Sequence, residues 1–388
     1  MKIIASEKTK FITDYYFATK LREIEAINNN CDVKVINMAI GNPDLMPHEY
    51  VREKIVDAVN QPRNFMYGSY KGSDEFRRTI ARWYQKNYQI EICPNTEILP
   101  LIGSKEGIAF ISLAFLDPGD AVLIPNPSYP AYSSAALIAQ SKTISYDLET
   151  SNDWYPDMFK LNELLVEKPK LMWINYPNMP TGSDFCFEKL SKLVQWAYAN
   201  NIIICNDNPY SHIMNENPQS IFSIPNAKDC CLELNSLSKT YNMAGCRIGM
   251  LIGKSELINP VFKILSNFSS GSFIPLHHAA IEAMQLSKEW TYKMNSVYKQ
   301  RKAMILALLD SLKCSYSSKS TGMFVWAKIP EKYTNGEEFC NYILDNSKVF
   351  LCPGFIFGSN GDKYIRVSLC VDEEQIIEAK QRINHLNI

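Results

Sequence analysis

Lys239 stands among small hydroxyl residues in the run SLSKT, Ser236 to Thr240, and Arg247 follows eight positions later. An amine withdrawn from water loses proton affinity and becomes a nucleophile toward an aldehyde, so Lys239 can form a Schiff base. Ser236, Ser238 and Arg247 can hold a phosphate, the arginine through its planar fork. A surface lysine beside a structural arginine carries the same short signature, so context has to decide.

Further clusters bring chemistry of their own. Gly103, Ser104 and Lys105 open the run GSKEG. Backbone N–H groups at a helix start make an anion site there, and a plain N-cap serine reads the same way. Asp207 and Tyr210 lie three residues apart in NDNPY. The acid can pair with a protonated ring nitrogen or simply cap a turn. Tyr129, in NPSYPAY, offers a face for stacking on a heteroaromatic ring or on the core. Arg366, in KYIRVSL, can fork onto a carboxylate or lie on a sheet edge.

The elements that must position these residues follow from periodicity. Short apolar runs at 97–101, 121–125, 170–176, 201–206, 231–236 and 248–252 read as strands. Helical patterns occupy 74–86, 105–116, 189–200, 255–265, 290–312 and 373–386, with an N-terminal helix over 9–28. Alternation of the two predicts an α/β fold with a mostly parallel central sheet, and 388 residues suit one large domain plus a smaller one. Gly103–Lys105, Asn178, Asp207 and Lys239 all follow predicted strand ends. Ligands of open α/β sheets bind outside those ends.

The 388 residues carry 40 Lys and Arg against 41 Asp and Glu, a net charge of −1. That balance supports neither nucleic-acid nor anionic-membrane binding. Eleven cysteines without CxxC spacing and five histidines predict neither a disulfide framework nor a metal site. No apolar run is long enough to span a bilayer and the N-terminus lacks a signal-peptide core, so a cytoplasmic protein is expected.

Taken in order from Asn37 to Ser368, these motifs resemble the class I/II aminotransferases, the fold-type I pyridoxal-phosphate (PLP) enzymes. The look of GSKEGI with DNPYSH is similar to the subgroup containing LL-diaminopimelate, aspartate and alanine aminotransferases. The resemblance implies that Lys239 carries PLP and moves the substrate proton. It places the cofactor phosphate on Gly103, Ser104, Lys105, Ser236, Ser238 and Arg247, and the ring against Tyr129. Asp207 would pair with the ring nitrogen and Tyr210 with the 3′ oxygen. Arg366 would take the substrate α-carboxylate, with Gly41 of INMAIGNPD letting backbone approach it. Tyr67 of YGSYKG would reach the phosphate of a neighbouring subunit, beside that subunit's loop 267–273, so a homodimer with shared sites is implied. Tyr15, Tyr16 and Phe17 would line the substrate pocket or contact the dimer partner. The implied fold has helices on both faces of the central sheet and divides into an N-terminal segment 1–45, a large domain 46–285 and a smaller α+β domain 286–388.

One residue departs from the family pattern. In NYPNMPTG, Met179 occupies the place of the asparagine that donates to the 3′ oxygen, and Asn178 precedes it. Either Asn178 substitutes or Tyr210 acts alone. The implied reaction is amino transfer from an L-amino acid to a 2-oxo acid, 2-oxoglutarate being the expected acceptor. The alternatives are a PLP-dependent C–S β-lyase and a catalytically weak PLP-binding protein. No arginine is identifiable as partner for a distal substrate carboxylate, and Lys105 is the one cation weighed for it.

Overall fold

A computed structural model describes residues 3–10 and 16–388. Its centre is a seven-stranded sheet built from β1 (Ile98–Leu101), β2 (Ala121–Asn126), β3 (Lys142–Asp147), β4 (Leu171–Ile174), β5 (Ile203–Asp207), β6 (Cys231–Ser236) and β7 (Gly249–Gly253). Their order is β1-β7-β6-β5-β4-β2-β3. All run parallel except β7, which is antiparallel to both neighbours.

The strands read as apolar runs because both sheet faces are covered. Side chains alternate between two separate cores. Ile98, Leu123, Met172, Ile174, Ile204, Met250 and Ile252 enter one. Leu99, Leu101, Val122, Leu171, Trp173, Leu232, Leu234 and Leu251 enter the other. The helix Asp74–Tyr88 covers the first face, starting where Ser73 accepts a hydrogen bond from the Phe76 amide. The helix Ser104–Phe115 covers the second.

A second sheet, antiparallel, holds β8 (Ser315–Tyr316), β9 (Phe324–Lys328), β10 (Cys352–Pro353) and β11 (Tyr364–Ser368) in the order β10-β11-β9-β8. The helices Lys288–Ser311, Gly336–Ser347 and Glu373–Ile383 pack on it, in a third core that also receives Phe17 and Ile24. The N-terminal helix is observed at Tyr16–Asn30; positions 11–15 of the expected one lie outside the described residues.

Besides the four strands of the second sheet, two further strand features were not expected from the sequence. Edge strand β3 has mostly exposed side chains, so it lacks the apolar signature. The pair Ile36–Asn37 and Val349–Phe350 forms a parallel ladder that carries the chain toward Gly41. The Ser368 amide then donates to the Met38 carbonyl, which fastens this segment beside β11. Among the described residues no helix is long and apolar enough to cross a membrane, and no cluster of His, Cys, Asp and Glu suits a metal ion.

Candidate active site

Strand β1 ends at Leu101, and the chain turns through Gly103 into the helix Ser104–Phe115. Gly103 has φ +82°, and a Cβ there would lie 2.1 Å from Arg247 Nη2. Only glycine allows the guanidinium to lie on this turn. A Cβ on Gly249 would meet Gly103 C and Ser104 N at 2.7 Å, so β7 also needs a bare backbone here. Ser236 Oγ donates 2.9 Å to Ser238 Oγ and accepts from the Ser238 amide at 3.2 Å. Helix N–H groups, two hydroxyls and a guanidinium thus converge, a set suited to a phosphate.

Lys239 sits in the short helix Leu237–Thr240, directly after β6. Its Nζ donates to the Gly41 carbonyl at 2.6 Å. Burial lowers its proton affinity below the ordinary lysine value, and the charges of Arg366 and Arg247 push the same way. Asp207 ends β5 and is 5% exposed. Its Oδ2 accepts from the Tyr132 hydroxyl at 3.0 Å, while buried Oδ1 has no hydrogen-bond partner among the described residues. Burial pushes its carboxyl up to about 7. The Asn175 side chain donates to the Asp207 carbonyl at 2.5 Å and accepts from the Met179 amide at 2.6 Å.

Arg366 lies in β11, opposite Trp326 of β9, and is 5% exposed. Its guanidinium carbon is 3.9 Å from the Phe324 ring centre, 4.7 Å from Phe357 and 5.7 Å from Phe17. Nη2 donates to the Ala39 carbonyl at 2.7 Å and Nη1 to Met179 Sδ at 3.1 Å, whereas buried Nε has no partner among the described residues. Gly41 is pressed against Phe324, whose Cζ would stand 2.2 Å from a Cβ at that position.

One cavity of about 540 Å³ gathers Lys239, Asp207, Tyr210, Ser104, Lys105, Ser236, Ser238, Arg247, Tyr129, Gly41 and Arg366. Sequence-distant residues from both sheets therefore meet in one place. Of the residues expected in this chain's own site, Gly103, Asn178 and Tyr16 are not among those lining it. Asn178 closes its own turn, donating to the Asn175 carbonyl and accepting from the Thr181 amide and hydroxyl, so Met179 lines the cavity instead. Tyr16 packs edge-on against Phe355 and Phe17, and Phe17, Ala18 and Leu21 form that wall. Tyr67 is 91% exposed and does not reach its own chain's cavity. Tyr15 lies outside the described residues.

Tyr132, Asn175, Phe324 and Phe357 line the cavity without having been singled out. Tyr132 follows Tyr129 by three residues in the same motif, a signal available in the sequence. The two phenylalanines have no local signature.

These residues fit PLP. Gly103 and Gly249 leave a cradle where a Cβ would not fit, unpartnered Asp207 Oδ1 suits a ring N–H, and unpartnered Arg366 Nε belongs to a carboxylate fork. Comparisons agree. Residues 33–383 match the family model "Aminotransferase class I and II". The chain is 39% identical over 386 residues to the LL-diaminopimelate aminotransferase of Aquifex aeolicus, covering 99% of each. It is 36% identical over 385 residues to that of Halothermothrix orenii, covering 99% of this chain and 98% of the relative. Among solved structures, BacF from Bacillus subtilis superposes with a TM-score of 0.95 at 32% identity, covering 100% of this chain and 99% of that one.

Proposed function

The chain belongs to the class I and II aminotransferase family, and we propose that Lys239, Asp207 and Arg366 carry its reaction, with Tyr210 beside them. It is a pyridoxal-phosphate-dependent aminotransferase. The cofactor, when bound, takes up the donor's amino group and draws the electrons of its α-carbon into the pyridine ring.

Arg366 grips the α-carboxylate that every donor and acceptor shares, and Gly41 lets backbone close on the same group. Lys239 holds the cofactor covalently through Nζ. Once a donor displaces it, the Nζ amine takes the α-carbon proton and redelivers it, the two halves of general acid–base catalysis. Its lowered proton affinity enlarges the share of neutral amine. Asp207 would offer Oδ1 to the ring nitrogen and keep it protonated. Tyr210 would serve the ring oxygen and Tyr129 the ring face. Gly103, Ser104, Lys105, Ser236, Ser238 and Arg247 would hold the phosphate.

The observation that carries this reading is the unpartnered Oδ1 of Asp207 in the cavity that Lys239 and Arg366 also line. The test is borohydride reduction of the PLP-loaded protein, with the modified peptide mapped, beside 2-oxo-acid-dependent turnover. Fixation at Lys239 and acceptor-dependent turnover are expected. Fixation elsewhere, or release of thiol and ammonia without an acceptor, overturns it. The acceptor proposed is 2-oxoglutarate. The curated relatives named above are LL-diaminopimelate aminotransferases, which supports LL-diaminopimelate as the first donor to assay.

A homodimer with shared sites belongs to the same proposal. Tyr67 stands beside exposed Phe65 and Met66, and Phe65 meets Phe273 of the 267–273 loop at 5.7 Å between ring centres. An apolar patch of that kind is characteristic of a protein interface. The division into segment 1–45, large domain 46–285 and small domain 286–388 is likewise proposed, supported by the two sheets and the shared core of Phe17, Ile24 and the C-terminal helices.

A further inference from the structure

We propose that Tyr132 is a positioning residue for the reaction, its hydroxyl holding the Asp207 carboxylate charged and turned so that Oδ1 faces the cofactor's ring nitrogen. The inference rests on the assignment of Asp207 just made.

Tyr132 is the second residue of the helix Ala131–Ile138 that follows β2. Its ring lies flat on Trp173 of β4, with centres 4.9 Å apart and planes at 4°, and Tyr129 meets it edge-on at 5.8 Å. Two aromatic neighbours therefore fix the ring, and with it the hydroxyl, which is wholly buried. That hydroxyl donates to Asp207 Oδ2 at 3.0 Å. Burial, then the Asp207 charge, hold it far above the ordinary tyrosine value, so it remains a donor.

A carboxylate withdrawn from water tends to take up a proton. Asp207 is in that position, and the Tyr132 hydroxyl is the group that opposes it. A hydrogen bond to the charged form favours that form. It also uses up Oδ2, so the remaining oxygen is the one left for the ring nitrogen. Tyr210 lines the same cavity, and burial keeps its phenol neutral, so it adds no charge to offset the burial of Asp207.

Removing the hydroxyl while keeping the ring separates this role from packing. In PLP-loaded Tyr132→Phe, kcat should fall by about tenfold to a hundredfold, the range for losing a hydrogen bond to a charged group. KM for the donor should stay within about twofold, because Arg366 rather than Asp207 binds the carboxylate. A readout independent of turnover uses the apoproteins. The pH window over which Asp207 destabilises the fold, read as the melting difference between each protein and its Asp207→Asn counterpart, should move upward in Tyr132→Phe. Tyr132→His, which restores a donor on a flat ring, should recover part of kcat. Unchanged kcat with an unmoved window would reduce Tyr132 to packing and overturn the inference. So would equal losses in the Phe and His variants. If borohydride fails to fix cofactor at Lys239 in the unmodified protein, the underlying site assignment falls first. If it succeeds and Tyr132→Phe is fully active, only this inference falls.

Discussion

Arg366 directs Nη1 at the thioether of Met179, 3.1 Å away, at the position where the resembling enzymes carry an asparagine. Sulfur is a weak acceptor and no donor. The neighbouring Asn178 does not make up for it, because its amide is spent on Asn175 and Thr181. On the proposed placement the cofactor's ring oxygen would therefore have one hydrogen-bond donor fewer on this side. A donor to an oxyanion favours the charged form. Met179→Asn should accordingly lower the pH at which the visible band of the PLP-loaded protein titrates. A spectrophotometric titration of both proteins checks it. An unchanged or higher midpoint would assign Met179 to packing against Arg366.

Lys239→Ala should keep its fold and lose turnover, since Lys239 supplies the amine held against Gly41 at the end of β6. Circular dichroism should match the parent, and borohydride should no longer fix the cofactor covalently. Retention of full activity would end the assignment of this lysine.

Arg366→Ala should weaken all amino donors together by a few kcal/mol, roughly the cost of stripping a charged partner from a carboxylate. The α-carboxylate is common to every donor, so the ratio of kcat/KM values among donors should hold nearly constant. Loss confined to one side-chain class would move Arg366 to specificity instead.

Much of this was legible because two physical signals coincide. Strands β1, β2, β4, β5, β6 and β7 are covered on both faces, so each shows an apolar run, and Lys239, Asp207 and Ser104 follow where those runs stop. Strand β3 escaped because Lys142, Thr143 and Asp147 face solvent at the sheet edge. Tyr16 and Phe17 are consecutive aromatics, and one residue along a helix turns the side chain by about 100°. Phase, not composition, selects Phe17 for the cavity. Asn178 and Met179 are likewise neighbours in a turn whose hydrogen bonding decides which of them faces in. Phe324 and Phe357 reach Arg366 only through packing around the second sheet, which local sequence does not encode.

Tyr67 supplies a test of assembly. Its side chain is almost fully exposed in the single chain, where an aromatic in a phosphate site should be covered. If the partner's cofactor covers it, Tyr67→Ala and Lys239→Ala subunits, each nearly inactive, should regain activity on mixing, because heterodimers contain one site with both residues intact. Light scattering should report a dimer. A monomer, or no complementation from two inactive variants, would count against shared sites.

Asp207 makes the pH dependence of the apoprotein predictable in sign. Burial raises its carboxyl from 3.8 to about 7, so the folded chain holds this proton more tightly than the unfolded chain does. The associated stability is fully present below the unfolded value and drains away as pH rises through the folded one. By about pH 8 the loss amounts to a few kcal/mol, at roughly 1.4 kcal/mol for each unit of difference. Asp207→Asn cannot take on charge, so the apo variant should melt above the parent near pH 8 and close to it near pH 4. Buried His212, whose proton affinity is depressed to about 4, and Glu233, whose carboxyl is raised, occur in both proteins and cancel in the difference. Loading with PLP should reverse the order, because a protonated ring nitrogen beside Oδ1 turns the buried charge from a liability into a partner. Calorimetric melts of both apoproteins across that range decide it. A melting difference that stays constant with pH would mean that Asp207 is already ionised in the folded apoprotein, and that the orphaned oxygen is not waiting for a cation.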